Sequence, residues 1–429
     1  MAHVVIIGNG VAGITAARHI RKRSDHRITV ISSESEYFYS RTALMYVYMG
    51  HMTFQHTKPY EDSFWKKNRI DLLFDHAETV APAEKIVLLK CGKSVAYDQL
   101  IIACGSRSII LDIPGTNLRG VQTLYSYQDL QRMETHTQGI SHAVIVGGGL
   151  IGVEMAEMLS SRNVKVTMLI REQAFWSNVL PLQEARMIDK HLFSHGIDLR
   201  HEQQVKEIVP NGNGGARAVK TNSNEEIPTD FVCIAVGVHP NVKWLRHSHI
   251  DIKQGILVNE YLETNVPGIY AIGDCVERRY ALAGRKSIEQ VWYTARMMGE
   301  CVAQTICGDK TPYQPGPWFN SAKFFDIEFQ TYGNVGNTLA EGEDDFYWEH
   351  SSGTKAIHVV WEKHSGRFCG INSFGIRLRH ERFDRWLREE RSIQFVMQHL
   401  HEANFDPEFT DRHEADILHR FEHKQLIAR

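Results

Sequence analysis

No apolar run in this chain approaches the ~18 residues that a membrane-spanning helix needs. Excess charge is missing too: 48 Lys and Arg against 51 Asp and Glu leave a net charge of -3, too weak a field to draw nucleic acid or an anionic membrane surface. Seven cysteines (Cys91, Cys104, Cys233, Cys275, Cys301, Cys307, Cys369) contain no C-x-x-C pair and no zinc-like grouping, which argues against a disulfide framework or a structural metal. The apolar N-terminus lacks a basic leader and is broken by Gly8, Gly10 and Gly13, so it reads as a strand and not as a signal peptide. The expectation is a soluble cytoplasmic protein of two or three domains, since 429 residues are long for one core.

What the chain does have is one glycine fingerprint used twice. Val4-Val5-Ile6-Ile7 runs into Gly8-Asn9-Gly10-Val11-Ala12-Gly13 and a helical stretch to Arg23; Ala143-Val144-Ile145-Val146 runs into Gly147-Gly148-Gly149-Leu150-Ile151-Gly152 and a helical stretch to Leu159. A β-branched strand feeding a tight glycine turn lets the backbone approach a pyrophosphate, and the helix that follows offers its free N–H groups and positive dipole end to that anion. One such motif is a weak signal. Two copies, each with its strand, its helix and a second strand about 20 residues on, point to a chain that holds two dinucleotides.

Further landmarks fall between and after the two fingerprints. Tyr97 to Ser106 is a buried strand ending in small residues, among them Ala103 and Gly105, where a backbone can press on a cofactor. Asn265 to Asp274 is another, delivering the Asp274 carboxylate beside Gly273 at a strand's C-terminal end, which is the ligand edge of an open α/β sheet. Val232 to Asn241, with Gly237, ends the second nucleotide unit and turns back into the first.

This ordered set resembles the FAD-dependent pyridine nucleotide-disulfide oxidoreductase superfamily over roughly residues 3–330. The resemblance implies an α/β fold with two Rossmann-like dinucleotide-binding domains. The FAD domain would comprise 1–115 and 240–315, interrupted by an NAD(P) domain at 116–239, with an α+β C-terminal interface domain and helical extension at 316–429. It implies that Gly8, Gly10 and Gly13 cradle the FAD pyrophosphate, that Glu34 or Ser33 takes the adenosine ribose, and that Asp274 meets the ribityl chain. Gly147, Gly149 and Gly152 would hold the NAD(P) pyrophosphate, with Glu154 near the nicotinamide. Ala103, Gly105, Gly237, Gly273 and Gln290 complete the expected cofactor contacts.

The likeness stops at the sulfur chemistry. Where disulfide reductases carry a C-x-x-x-x-C pair and single-cysteine relatives carry one thiol, this chain reads Tyr39-Ser40-Arg41-Thr42-Ala43. Thr42 stands at the cysteine position, and a hydroxyl forms neither a disulfide nor a sulfenic acid. The C-terminal H-P-x-x-x-E base is absent as well. Electrons must therefore leave the flavin directly. Tyr39-Ser40-Arg41 is more similar to rubredoxin reductases and to the large subunit of assimilatory nitrite reductases, where a cation precedes the flavin. Arg41 is accordingly expected as a catalytic cation paired with Glu154, stabilising negative charge in a dry site; the alternative is an ordinary surface arginine.

Nicotinamide specificity rests on Ile170, which occupies the place of the usual ribose-binding acid, and on Arg171, which can meet a 2'-phosphate. NADPH is favoured over NADH, with Glu172 as the alternative ribose ligand. Ser287 to Arg296 opens a helix whose N-terminus would face the flavin pyrimidine, with Trp292 either stacking on the ring or simply packing. Arg379, Arg382, Arg385, Arg388 and Arg391 read as a solvated mixed-charge surface in preference to a docking patch for an acidic carrier. The late histidines His399, His401, His413, His419 and His423 form no complete ligand set, so no metal is expected.

The expected function is an NAD(P)H-dependent FAD oxidoreductase that passes electrons to an acceptor, a small redox protein, without a redox-active disulfide. Alternatives are an NAD(P)H oxidase forming peroxide, a quinone reductase, and a flavin-based sensor or assembly factor. Whether the chain is a monomer or a homodimer stays open.

Overall fold

Apolar runs such as Val4 to Ile7 can be buried on both faces only inside a parallel sheet that helices cover. In this computed structural model, which describes residues 1–280, 282 and 284–427, His3–Ile7 pairs in parallel with Arg27–Ser32 and with Gln99–Ile102. Ile269–Ala271 and Ile70–Phe74 complete a five-stranded sheet with His3–Ile7 at its centre. The second fingerprint repeats this. His142–Val146 is central in a sheet ordered Asp198–Arg200, Lys165–Leu169, His142–Val146, Phe231–Ile234, Val121–Gln122.

The chain divides into two compact units. The first is Met1–Ile110, Gln122–Gln138 and Gly237–Pro315; the second is Leu111–Val121, Gly139–Val236 and the chain from Gly316 onward. Gln122–Gln138 thus lies in the first unit, whereas the expected boundary at 116 assigned it to the NAD(P) domain. The reason is local bonding. The helix Tyr127–His136 is tied there by the Tyr127 N–H and the Gln128 amide, both donating to Glu34 (3.1 and 2.7 Å). Tyr127 also stacks on Phe54 at 3.8 Å between ring centroids. The first unit is tightened further by Gly299 in the helix Trp292–Ile306: a Cβ there would lie 2.6 Å from the Ala12 carbonyl oxygen, so only glycine lets this helix lie so close to Val11–Arg23.

In the second unit the C-terminal segment forms a five-stranded antiparallel sheet, ordered Phe319–Phe324, Ile327–Gly333, Phe368–Phe374, Ala356–Glu362, Glu343–Glu349. Helices His380–Arg388, Ile393–Gln398 and Glu414–Ile427 cover it, and Phe383, Trp386, Val396, Met397, Ile417 and Phe421 close its core. The arginines on this surface meet acids: Arg382 with Glu402, Arg388 with Asp384, Arg391 with Glu389. Such pairs are worth little each but keep the surface mixed in sign. Among the described residues no helix is long and apolar enough to cross a membrane.

One buried polar group fastens this sheet to the rest of its unit. His358 lies between Glu184 (2.9 Å) and Asp345 (2.8 Å), and Asn372 donates to Glu184 at 2.9 Å. Burial works against the imidazolium, but the hydrogen bond it donates to Asp345 and the charge of the adjacent Glu184 outweigh it and push His358 up to about 9. A raised histidine stabilises the fold fully below its unfolded value near 6.5, and that stabilisation is lost as pH rises through 9. Thermal unfolding monitored between pH 6 and 10 should therefore show a loss of about 2–3 kcal/mol across that window. His358→Gln should flatten the dependence; an unchanged profile in the variant would assign the loss to other groups.

Candidate cofactor site

The two glycine turns have the same geometry, and each glycine has its own task. Gly8 and Gly147 sit at φ +109° and +121°. A Cβ on them would fall 2.1 Å from the Ala103 carbonyl oxygen and 2.3 Å from that of Ala235. Gly13 and Gly152 close the turn from the helix side, where a Cβ would stand 2.0 and 2.4 Å from the carbonyl oxygens of Gly8 and Gly147. Gly10 and Gly149, the N-caps of Val11–Arg23 and Leu150–Ser160, face open space. Neither helix has a side-chain cap or an acid in its first turn, so the free N–H groups and dipole face no competing anion. This is what a pyrophosphate needs.

The first unit brings together most of the remaining expected residues. Asp274 follows the strand Ile269–Ala271, and its Oδ2 accepts from Ser106 Oγ at 3.3 Å; Gln290 Nε2 donates to the same hydroxyl at 2.6 Å. Burial pushes the Asp274 carboxyl up to about 6, although Arg41 pulls it down. A half-buried carboxyl with one long hydrogen bond has acceptor capacity left for a ribityl hydroxyl, and these residues fit FAD. Gly105 (φ +67°) lies under the Tyr125 hydroxyl, which accepts from the Ser106 N–H at 3.0 Å. Gly237 takes φ +116°, and Gly273 takes φ +76° while donating to Met298 Sδ. Ser33 is exposed, with its hydroxyl 3.2 Å from His76 Nδ1. Trp292 begins its helix and is 40% exposed, so it is not a core residue.

Arg41 finds a counter-ion within its own unit, Glu34: Nη1 reaches Oε1 at 2.9 Å and Nη2 reaches Oε2 at 2.7 Å. Nη1 also donates to the Tyr125 carbonyl at 2.6 Å, and the guanidinium stands 4.3 Å from the Tyr125 ring. Burial lowers the Arg41 pKa less than Glu34, Tyr39 and Tyr125 raise it, so the cation is permanent. Glu34 is the converse case: burial raises its pKa, but Arg41 outweighs that and holds it below its ordinary value. The Tyr39 hydroxyl and the Tyr127 N–H fill the rest of Oε1. Only Oε2 keeps an acceptor position, so Glu34 is first the anchor of Arg41 and at most a single contact to a ribose. This also sets aside the surface-arginine alternative. Tyr125 and Ser106 complete the network with no role in the sequence expectation, and Tyr39 enters there only within Tyr39-Ser40-Arg41. Tyr125 carries no motif at all, because it arrives from the segment that crosses back into this unit.

In the second unit Glu154 lies half-buried on Leu150–Ser160, and burial together with Glu157 pushes it up to about 7. Such a group can hold or release a proton near neutrality. Glu157 itself is paired with Lys323 at 2.8 Å. Ile170 is buried, and Arg171 is 71% exposed with only a loose partner, Glu172 at 3.8 Å.

Two dinucleotide-binding folds with paired glycine turns and a half-buried acid at a strand's C-terminal end define a flavin- and nicotinamide-dependent oxidoreductase. A family model described as pyridine nucleotide-disulphide oxidoreductase matches residues 2–299, and the chain belongs to that family. It is 31% identical over 363 residues to the 5,5'-dehydrodivanillate O-demethylase ferredoxin reductase subunit of Sphingobium sp., covering 83% of this chain and 86% of that protein. It is 28% identical over 335 residues to the nitrite reductase [NAD(P)H] of Bacillus subtilis; this match takes in 77% of the chain but 41% of that longer protein. Among solved structures, a ferredoxin reductase from Rhodopseudomonas palustris superposes with a TM-score of 0.80 at 24% identity, over 87% of this chain and 91% of that one. The protein is an NAD(P)H-dependent FAD oxidoreductase.

Proposed function

We propose that this reductase delivers electrons from NAD(P)H to a small redox protein in the cytoplasm, with no thiol relay. A bound FAD would supply the redox chemistry between the nicotinamide and the acceptor. The chain's own residues orient and insulate. The glycine turns accept the two pyrophosphates, Asp274 receives a ribityl hydroxyl, and Arg41, fixed by Glu34 and Tyr125, supplies a permanent positive charge. The observation that carries the reading is the absence of a competent thiol at the site. Thr42 stands at the cysteine position with its hydroxyl 3.1 Å from Ser40. The Cys275 thiol is pushed well above its usual range by its hydrogen bond with Cys104 and by burial, so it stays protonated and unreactive. All seven cysteines are free, as reducing surroundings favour. Relatives named as ferredoxin reductase subunits support the choice of acceptor.

Anaerobic titration should consume one NAD(P)H per FAD and stop, and steady-state turnover with a ferredoxin or rubredoxin should greatly exceed turnover with oxygen alone. A second reducing equivalent would restore a thiol relay. Oxygen turnover as fast as protein turnover would make the chain an oxidase, and slow reduction with no cycling would make it a sensor.

The nearly unpartnered Arg171 favours NADPH. Arg171→Ala should raise the half-saturating NADPH concentration about 10–100-fold, equivalent to the ~1.5–3 kcal/mol of a charge-assisted contact, and leave NADH nearly unchanged. A native preference for NADH would pass the ribose to Glu172.

A further inference from the structure

The helix Leu182–Ser194 carries His191 on its last turn, and His195 caps it four residues on. Opposite stands Asp326, in the two-residue turn that joins Phe319–Phe324 to Ile327–Gly333. All three belong to the second unit, and their ligand atoms lie within 4.8 Å of one another. Asp326 Oδ1 is 2.7 Å from His191 Nε2 and 3.4 Å from His195 Nε2.

We infer that His191, His195 and Asp326 form a site for a borderline divalent transition-metal ion, with Zn²⁺ as the natural probe and a water completing a tetrahedron. Three independent features favour this over an incidental histidine–aspartate contact. First, the His191 side chain is 5% exposed, yet its Nε2 makes no hydrogen bond: the carboxylate is near but off the line an N–H···O bond requires. A buried, unpartnered imidazole nitrogen aimed at an acid is costly unless something else occupies it. Second, His195 Nδ1 stands 3.0 Å from the His191 carbonyl oxygen. That oxygen can only accept, so Nδ1 carries the proton and Nε2 presents its lone pair, the outer-shell arrangement that orients metal-bound imidazoles. Third, the spacing fits. Donors at 2.0–2.1 Å from Zn²⁺ are about 3.3 Å apart in a tetrahedron, so the 3.4 Å edge is in place, the 2.7 Å edge opens by about half an ångström through the exposed Asp326, and the histidine–histidine edge, within 4.8 Å, is adjusted by the exposed His195.

Phe325 holds the turn, packing on the His195 ring at 4.5 Å between centroids. An ion here would tie the helix Leu182–Ser194 of the second nucleotide fold to the first hairpin of the C-terminal sheet. His191 and His195 are an i,i+4 pair in the sequence, but Asp326 lies far along the chain, so the pair alone makes no complete ligand set there.

The test uses untagged, FAD-loaded protein stripped with chelator and dialysed against Zn²⁺, with elemental analysis and Co²⁺ absorption as readouts. One tightly held ion per chain is expected, with a tetrahedral Co²⁺ spectrum and a rise in melting temperature. His195→Gln and Asp326→Asn, both at exposed positions, should each weaken it by at least the 10–100-fold that loss of an outer-shell partner costs, with flavin content unchanged. His419→Gln/His423→Gln should retain it. No bound ion in the wild type, or an ion retained by the His195→Gln/Asp326→Asn double variant, overturns the site.

Discussion

Gly147→Ala should leave a yellow protein that NAD(P)H can no longer reduce at an appreciable rate. The added Cβ would fall 2.3 Å from the Ala235 carbonyl oxygen and 2.7 Å from its carbon, at a residue whose φ is +121°. The left-handed conformation alone costs an L-residue about 1–3 kcal/mol, and Ala235, just past the strand Phe231–Ile234, is held in place by its own N–H donating to the Val146 carbonyl at 2.8 Å. The turn must therefore shift and withdraw the N–H groups that face the pyrophosphate. A loss of at least about 100-fold in the rate of flavin reduction is expected, which corresponds to about 2.7 kcal/mol. Because Gly147 lies in the second unit, FAD content and reduction by dithionite should be preserved. Gly8→Ala makes the mirror-image case in the first unit, where the same clash with Ala103 should cost the flavin itself. Anaerobic stopped-flow separates the two. Wild-type reduction by NAD(P)H in Gly147→Ala would show that this turn does not carry the nicotinamide nucleotide.

Fold and site were unequally legible in the sequence, and the reason is how locally each is encoded. The glycine turns are written in contiguous residues, because strand, turn and helix must follow one another directly for the backbone to reach a phosphate. Asp274 was readable for the same reason, at the end of an apolar strand. Arg41 could be found but not partnered. Its choice of Glu34 depends on how the segment 33–41 folds back and on Tyr125 and Tyr127, which enter from beyond residue 120. The course of Gln122–Gln138 is a tertiary fact of the same kind. Residues 126–129 do announce a helix start, with Ser126 and Asp129 forming a capping box, but a cap fixes where a helix begins and not which unit it joins.

The Arg41–Glu34 pair makes the last expectation, because its two members were given separate tasks from sequence and the structure makes them one. Glu34→Gln leaves a guanidinium held only by the Tyr125 carbonyl and the faces of Tyr125 and Tyr39. Arg41→Met leaves a carboxylate held by the Tyr39 hydroxyl and the Tyr127 N–H. Each single change strands a partly buried charge, and charges so exposed are the costly remainder of a broken pair. Both should weaken FAD retention about 10–100-fold, roughly 1.4–2.8 kcal/mol. The double variant removes both charges together and should cost less than the sum by about 1–2 kcal/mol, toward the lower part of the measured range because 34% of the arginine side chain and 24% of the glutamate remain in water. Flavin release measured for all four proteins decides it. Additive singles would mean that the bidentate contact contributes nothing to cofactor binding. Loss of flavin in Arg41→Met alone would instead make the cation the functional member and Glu34 merely its neighbour.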